Sequence, residues 1–173
     1  MIYGDGQTHT LPGDPAFANG DWIRLESASR LVVGSAALVH GSFDSSGSVA
    51  FGGRAITITP GARARITGGE IQGGGDANAS VDDTIDRVEA RGGVALALTS
   101  DWSTLYTGIF ESGDATSEGS HGDNVATSGD ILATSPGTIL QVYGGTFTAG
   151  LAHAANGIYR PIGAARSVGP SSG

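Results

Sequence analysis

A short glycine-centred pattern recurs four times along the chain, and it constrains the fold more than any other feature. Each copy has one or two glycines, then one large apolar residue, here called the anchor, and then a further glycine. The anchors are Phe43, Ile71, Phe110 and Phe147, spaced 28, 39 and 37 residues apart. Such spacings fall within the roughly 20–50 residues of stacked solenoid repeats. The pattern therefore predicts a winding chain whose four anchors form one internal core ladder.

Two Pro-Gly turns give a second register mark. Pro60-Gly61 lies 11 residues before Ile71, and Pro136-Gly137 lies 11 residues before Phe147. Near these turns apolar and polar residues alternate, as in residues 63–67, which indicates strands with one buried face. A meander of hairpins is the competing all-β arrangement. An anchor so soon after a glycine suits the corner of a solenoid better than a hairpin loop.

The spacing divides the chain into three regions. Residues 1–20 would form an N-terminal cap or assembly arm, residues 21–150 a β-solenoid of about four to five coils, and residues 151–173 a C-terminal cap or tail. Two long loops interrupt the solenoid between the glycines that bound residues 75–92 and 113–129. In the first loop, Ser80 and Asp83 resemble a capping box, which predicts a short helix or helical turn there.

Composition and charge exclude several classes of partner. All nine basic residues are arginines, and the formal net charge is −8, so neither nucleic acid nor an anionic membrane surface is expected as a partner. Cysteine is absent, which excludes disulfides and thiolate metal sites. No apolar run approaches the length of a membrane span, and no Sec signal peptide is visible at the start. We expect cytoplasmic assembly, a signal-independent exit, or an excised fragment.

The repeat pattern resembles that of the right-handed parallel β-helix proteins, the pectate-lyase-like superfamily. The resemblance covers residues 21–150 and rests on the glycine corners and their spacing rather than on a signature motif. It implies an all-β fold, a right-handed parallel β-helix, shared by phage tailspikes, adhesins, filament subunits and polysaccharide lyases. It also implies a place on a virion, on the cell surface or outside the cell. Fold follows from such a resemblance more directly than function does.

Acidic residues concentrate in the two long loops. Carboxylates on stacked coils could meet there and bind Ca²⁺ through oxygen ligands, or act as the acid–base pair of a glycan hydrolase. Aspartate is also a common turn and capping residue, and this interpretation is favoured because the loops lack the spacing of a Ca²⁺ loop. No cofactor besides Ca²⁺ is expected. The candidate ligand-binding residues in the loops are Asp76, Asp82, Asp83, Asp86, Asp114, Glu118 and Asp123.

Four aromatic residues, Trp22, Trp102, Tyr106 and Tyr143, could form a glycan-stacking surface, and the last three are candidate ligand-binding residues. Tyr106 and Tyr143 lie 37 residues apart, which is one repeat, so their rings would stack. Stacked side chains on a solenoid face also stabilise the fold, and this is the favoured interpretation. Four arginines near the acidic loops lie in no local motif, so no lyase role is assigned to them; they are Arg63, Arg65, Arg87 and Arg91. The four histidines show no metal-ligand spacing.

These observations predict a non-catalytic structural or adhesive protein. It would assemble with copies of itself as a tailspike, fibre or decoration protein of a virion, or as the subunit of an extracellular filament. The open ends of a solenoid expose strand edges that must be capped or stacked. The alternatives are a carbohydrate-active β-helix enzyme, either a polysaccharide lyase or a hydrolase, and a module that binds surface glycan.

Overall fold

A computed structural model shows an all-β chain wound into a parallel β-solenoid, which confirms the predicted fold class. The structure describes residues 1–46, 48–75, 77–81, 88–99, 102–119, 124–155 and 158–160. The strands follow one another in five rows.

The first row contains β1 (Ile2–Tyr3) and β2 (Thr8–Leu11). The second contains β3 (Ile23–Leu25), β4 (Arg30–Val33), β5 (Leu38–His40), β6 (Phe43–Ser46) and β7 (Val49–Gly52). The third contains β8 (Ile56–Ile58), β9 (Arg63–Gln72), β10 (Ala77–Val81) and β11 (Glu89–Arg91). The fourth contains β12 (Leu96–Leu98), β13 (Ser103–Glu111), β14 (Ala115–Gly119) and β15 (Val125–Thr127). The last row contains β16 (Leu132–Thr134), β17 (Leu140–Val142), β18 (Thr146–Thr148), β19 (Ala152–Ala154) and β20 (Ile158–Arg160).

Strands at the same position of successive rows pair side by side, so the described strands form four sheets. Sheet 1 is β1-β3-β8-β12-β16, and sheet 2 is β2-β4-β9-β13-β17, with β5 and β18 beside the second halves of β9 and β13. Sheet 3 is β10-β14-β19, and sheet 4 is β6-β7-β11-β15-β20. Each pairing in these sheets is parallel except that of β6 with β7, which is antiparallel.

The solenoid makes about three turns, fewer than the four to five coils predicted. The first two rows are incomplete. Residues 1–22 supply strands to sheets 1 and 2 only, and the second row closes with the β6–β7 hairpin instead of a strand in sheet 3. The three later rows each visit all four sheets.

The helix predicted from Ser80 onward is wrong at its start, because Ser80 lies in β10, paired with Glu118 of β14. At its other end Glu89 begins β11 and pairs with Val125. Residues 82–87 of this segment lie outside the described residues. A neighbouring strand in the next row satisfies the backbone of residues 77–81, so pairing decides their conformation rather than a local capping preference.

The main core lies between sheets 1 and 2. Alternation in β9 directs Ala64 and Ile66 inward and Arg63 and Arg65 outward, as predicted from the sequence. Ile23, Ile56, Leu96 and Leu132 occupy one column of sheet 1 at intervals of 33, 40 and 36 residues. A second, smaller core lies between sheets 3 and 4. Its members are Ala50, Val88, Ala90, Ala115 and Ala126.

The anchor ladder begins at Val39 rather than at Phe43. Phe110 is in register with Ile71 on one side and with Phe147 on the other. Ile71 is in register with Val39, while Phe43 lies in β6 opposite Gly52. The first copy of the pattern was therefore aligned wrongly. Its glycine, Gly41, follows Val39 by two residues just as Gly73 follows Ile71, so it comes after the ladder position and not before it.

A column of glycines, the glycine waist, separates the two cores. In each complete row the chain leaves sheet 2 for sheets 3 and 4 and then returns to sheet 1. The outgoing and returning backbones meet between the two cores, and outgoing and returning segments alternate along the solenoid. The N–H of Gly74 donates to the carbonyl of Gly53 at 2.9 Å, and the N–H of Gly113 donates to the carbonyl of Gly93 at 2.9 Å. Side chains have no room there. The members of the waist are Gly53, Gly74, Gly93, Gly113 and Gly129.

Candidate functional site

On the outer face of sheet 2, the N-terminal halves of the strands carry two columns of outward-facing side chains. Arg30 of β4 is directly in register with Arg63 of β9. The next outward column contains Val32, Arg65 and Thr104. Parallel strands lie about 4.8 Å apart, so the three guanidinium groups share one small area of the surface. The sheet register brings Arg30 of β4 to Arg63 and Arg65 of β9, although Arg30 lies far from them in sequence.

A groove of about 400 Å³ runs between these columns. Its side-chain walls include the three arginines, Thr8 and Trp102, whose ring is 46% exposed. Among the described residues no carboxylate forms an ion pair with any of the three arginines, whereas Arg24 pairs with Glu26 and Arg91 with Glu89. The groove is therefore cationic, on a chain whose net charge is −8.

The aromatic candidates divide between this groove and a stack beside it. The rings of Tyr106 and Tyr143 lie 5.1 Å apart at 8° and stack in parallel. The guanidinium of Arg65 lies 5.0 Å from the centre of the Tyr106 ring, a cation–π contact. Trp102 lines the groove together with Arg65. The stack of side chains Arg65–Tyr106–Tyr143 holds the Arg65 guanidinium against an aromatic ring and extends toward the last row.

A second, polar groove of about 260 Å³ lies at the C-terminal ends of the strands β5, β9 and β13 of sheet 2. Its wall includes His40, Gln72 and Glu111, which are in register across three rows. The Gln72 amide donates to the Glu111 carboxylate at 3.0 Å. Asp114 lines the same groove. The sequence patterns did not join His40 to these acids, because the link runs through strand register and not through a motif.

The acidic candidates are only partly described. The Asp114 carboxylate accepts a hydrogen bond of 2.6 Å from the backbone N–H of Leu151. It therefore satisfies a backbone donor of the next row. Glu118 lies exposed on β14. No group of three or more metal-ligating side chains occurs among the described residues. The other five acidic candidates lie outside the described residues; they are Asp76, Asp82, Asp83, Asp86 and Asp123.

A titratable cluster that the sequence analysis missed lies in the first row. The Nδ1 of His9 is 2.9 Å from Asp14, and its Nε2 is 2.9 Å from Asp5. Burial lowers the pKa of His9, but the two hydrogen bonds outweigh burial and raise the pKa above its ordinary value. The same bonds lower the pKa of both carboxyls. The i,i+4 spacing of Asp5 and His9 was the one signal available in the sequence.

Tyr3 packs on this cluster. Its ring stacks on His9 with centroids 3.8 Å apart. Burial, followed by the nearby charge of Asp14, raises the pKa of Tyr3 to about 12. The phenol is therefore neutral over the whole physiological range.

The last row exposes apolar side chains. Phe110 has a ladder neighbour on each side, Ile71 and Phe147, and is fully buried, whereas Phe147 is 39% exposed. Val142 and Leu151 are 48% and 74% exposed. Residues 131–159 contain no Asp, Glu, Lys or Arg. The row at this end of the solenoid thus exposes apolar side chains and carries no charged residue before Arg160.

Comparison with protein-family models, with curated proteins and with solved structures found no match to this chain. The fold defines its class as a parallel β-solenoid. No helix among the described residues is long and apolar enough to cross a bilayer.

Proposed function

We propose that this chain is a non-catalytic structural or adhesive β-solenoid that assembles with copies of itself, as a component of a virion or of an extracellular filament. The observation that carries the proposal is the last row. Edge strands of soluble proteins are normally protected by charged residues, and this row has none over residues 131–159. Its open strand edges and exposed apolar side chains suit pairing with another chain.

The charge pattern favours a second copy as the partner. A protein of net charge −8 repels copies of itself, so association needs a surface where two copies meet without bringing like charges together. The last row is such a surface. Each row of a parallel solenoid pairs with a neighbouring row whose strands are similarly spaced. A further copy therefore offers strands whose spacing matches that of the last row.

The opposite end is already covered by the chain's own first residues. The side chains of Leu11 and Phe17 are buried there. The N–H of Gly20 donates to the carbonyl of Leu38 at 2.8 Å, and the side chain of Asn19 accepts from the N–H of Leu38 at 3.2 Å. The two ends therefore differ, and association through the last row would join two copies by their last rows.

The chain's own C-terminal residues are the competing cover for the last row. Residues 161–173 contain only two large apolar residues, Ile162 and Val168. They offer little apolar area to set against Val142, Phe147 and Leu151. A second copy offers a full row.

Sedimentation velocity over a range of concentrations tests this proposal. The wild type is expected to associate as concentration rises. The double variant Val142→Lys with Leu151→Lys places like charges on the row and should remain monomeric with an unchanged circular dichroism spectrum. Phe51→Lys is the matched control, because Phe51 is also exposed, at 46%, but lies on sheet 4. This control should associate like the wild type.

Two outcomes would contradict the proposal. One is a wild type that remains a monomer at every concentration. The other is association of a chain ended after Arg160 when the full chain stays monomeric, since residues 161–173 would then be the cover of the last row. Equal loss of association in Phe51→Lys would place the interface elsewhere.

A further inference from the structure

The three arginines of sheet 2 are placed at an energetic disadvantage. Like charges directly opposite each other on neighbouring strands destabilise a sheet, and Arg30 and Arg63 are in direct register. Arg65 stands in the next outward column. The chain has 17 acidic residues against nine arginines, yet none of the described carboxylates pairs with these three. An anion bound between them would relieve this repulsion.

The groove has the form and chemistry of a ligand site. Its volume of about 400 Å³ lies in the usual range of small-molecule sites, roughly 300–1,000 Å³. Guanidinium groups bind carboxylate and sulfate oxygens through paired hydrogen bonds. The half-exposed Trp102 ring presents a flat apolar wall on the same groove. Such a wall stacks against a planar or ring-shaped ligand.

We propose that this groove binds an anionic saccharide, a sugar that carries carboxylate or sulfate groups. The oxyanions would meet Arg30, Arg63 and Arg65, and the apolar face of one sugar ring would pack on Trp102. Thr8 and Thr104 line the groove and offer hydroxyls for the hydroxyls of the sugar.

Charge density favours a saccharide over a nucleic acid. Duplex DNA carries one negative charge per 1.7 Å or so of its axis, and its binding requires many phosphate contacts. The groove offers three cations on a chain with a net charge of −8, which repels a dense polyanion at long range. A saccharide with one anionic group on each sugar places fewer charges near the protein. Three arginines can match those charges.

The site is independent of self-association. The groove lies on the side of the solenoid, on the first to fourth rows, while the exposed apolar row is the last. Saccharide binding and assembly can therefore succeed or fail separately.

Tryptophan fluorescence provides a direct test. The chain has two tryptophans, Trp22 and Trp102, so a Trp22→Phe background leaves Trp102 as the only reporter. Four probes are titrated at low salt: alginate oligosaccharides for carboxylate, dextran sulfate oligosaccharides for sulfate, maltooligosaccharides as the neutral control, and a single-stranded deoxyoligonucleotide. We expect saturable quenching by one or both anionic saccharides, weakening as salt rises. No quenching is expected from the neutral sugar.

Charge-matched variants locate the binding. Arg63→Gln should weaken binding about tenfold, because a charge-assisted contact is lost. Arg54→Gln removes the same charge from an exposed position outside the groove and should bind like the background protein. Equal weakening in both variants, equal binding of the neutral sugar, or no response of Trp102 to either anionic saccharide would overturn the proposal. Tighter binding of the oligonucleotide would overturn the choice of a saccharide.

Discussion

The backbone N–H of Gly93 donates a hydrogen bond of 2.8 Å to the carbonyl oxygen of Gly74, and a Cβ placed on Gly93 would lie only 2.0 Å from the carbonyl oxygen of Gly53. The chain going out to the small core and the chain coming back thus share one narrow column. Glycine is required there because the neighbouring backbones leave no volume for a methyl group. The waist links every complete turn to the next.

Alanine substitutions at two adjacent residues should therefore have opposite outcomes. A Cβ on Gly74 would lie 2.0 Å from the carbonyl oxygen of Ser42, whereas a Cβ on Gly75 would meet its nearest neighbour, the N of Asp114, at 3.9 Å. We expect Gly74→Ala to lower the free energy of unfolding by at least about 3 kcal/mol, because backbone must move. Gly75→Ala should change it by less than about 0.5 kcal/mol.

Urea denaturation followed by circular dichroism measures both values. Equal stability of the two variants would mean that the crossing strands can separate, and the description of the waist as a close-packed column would be wrong.

Two of the five glycines of the waist could be predicted from the sequence, and three could not. Gly74 and Gly113 follow anchors, so the repeat pattern contains them. Gly53, Gly93 and Gly129 follow strands of sheet 4 and belong to no copy of the pattern. Their contact with the first set depends on where the return path crosses, and this is fixed by the long segments between the repeats.

The candidate site, too, could be predicted from the sequence only in part. The Tyr106–Tyr143 stack follows from a spacing of one repeat, and the structure brings the two rings to 5.1 Å. The pairing of Arg30 with Arg63 was not predicted, because Arg30 lies in a row whose glycine pattern was aligned at the wrong residue, Phe43. An error of four residues in one anchor therefore hid the arginine column. Side-chain columns can be read from a solenoid sequence only after every row is in register.

The anchor ladder predicts unequal costs for two phenylalanines. Phe110 is fully buried, and Phe147 is 39% exposed with its ring 5.2 Å from that of Phe110. Phe110→Ala should lower the free energy of unfolding by about 3–5 kcal/mol, because it leaves a cavity inside the core. Phe147→Ala should cost less than half as much, since it removes a ring from an open edge.

Thermal and urea unfolding at low protein concentration compares these two variants without a contribution from association. A larger loss for Phe147→Ala under those conditions would show that the last row is packed against something in the monomer. That result would also weaken the proposal that a second copy covers it.

Asp114 is expected to act as a cap for the next row rather than as a Ca²⁺ ligand. Its carboxylate already accepts the N–H of Leu151 at 2.6 Å. Asp114→Ala should cost roughly 1.5 kcal/mol, the lower end of the value of a hydrogen bond to a charged group, because this bond is exposed to solvent. Asp114→Asn should cost less because the amide keeps an acceptor oxygen. Melting curves with and without a chelator decide the matter. A drop in melting temperature on chelation in the wild type, absent in Asp114→Ala, would instead assign Asp114 to a metal site.

The His9 cluster predicts how stability depends on pH. The pKa of His9 is raised in the folded chain, so its contribution is complete below the ordinary value of 6.5 and is lost as pH rises through the raised value. The pKa values of Asp5 and Asp14 are lowered, so their contribution is present above the ordinary value of 3.8 and is lost as pH falls through the lowered values. The cluster therefore stabilises the fold most between about pH 4 and 6.5.

The free energy of unfolding should accordingly decrease between pH 5.5 and pH 8.5, and the decrease should be small, because one partner of the cluster, Asp5, is exposed to solvent. Tyr3 faces His9 but stays neutral over this interval, since its pKa is raised to about 12. Urea titrations at the two pH values measure the difference. In His9→Gln, which keeps hydrogen-bonding capacity without the titration, the decrease should disappear. If this variant keeps the full pH dependence, the titrating group lies elsewhere, and the two hydrogen bonds of His9 hold the first row in place without making its stability depend on pH.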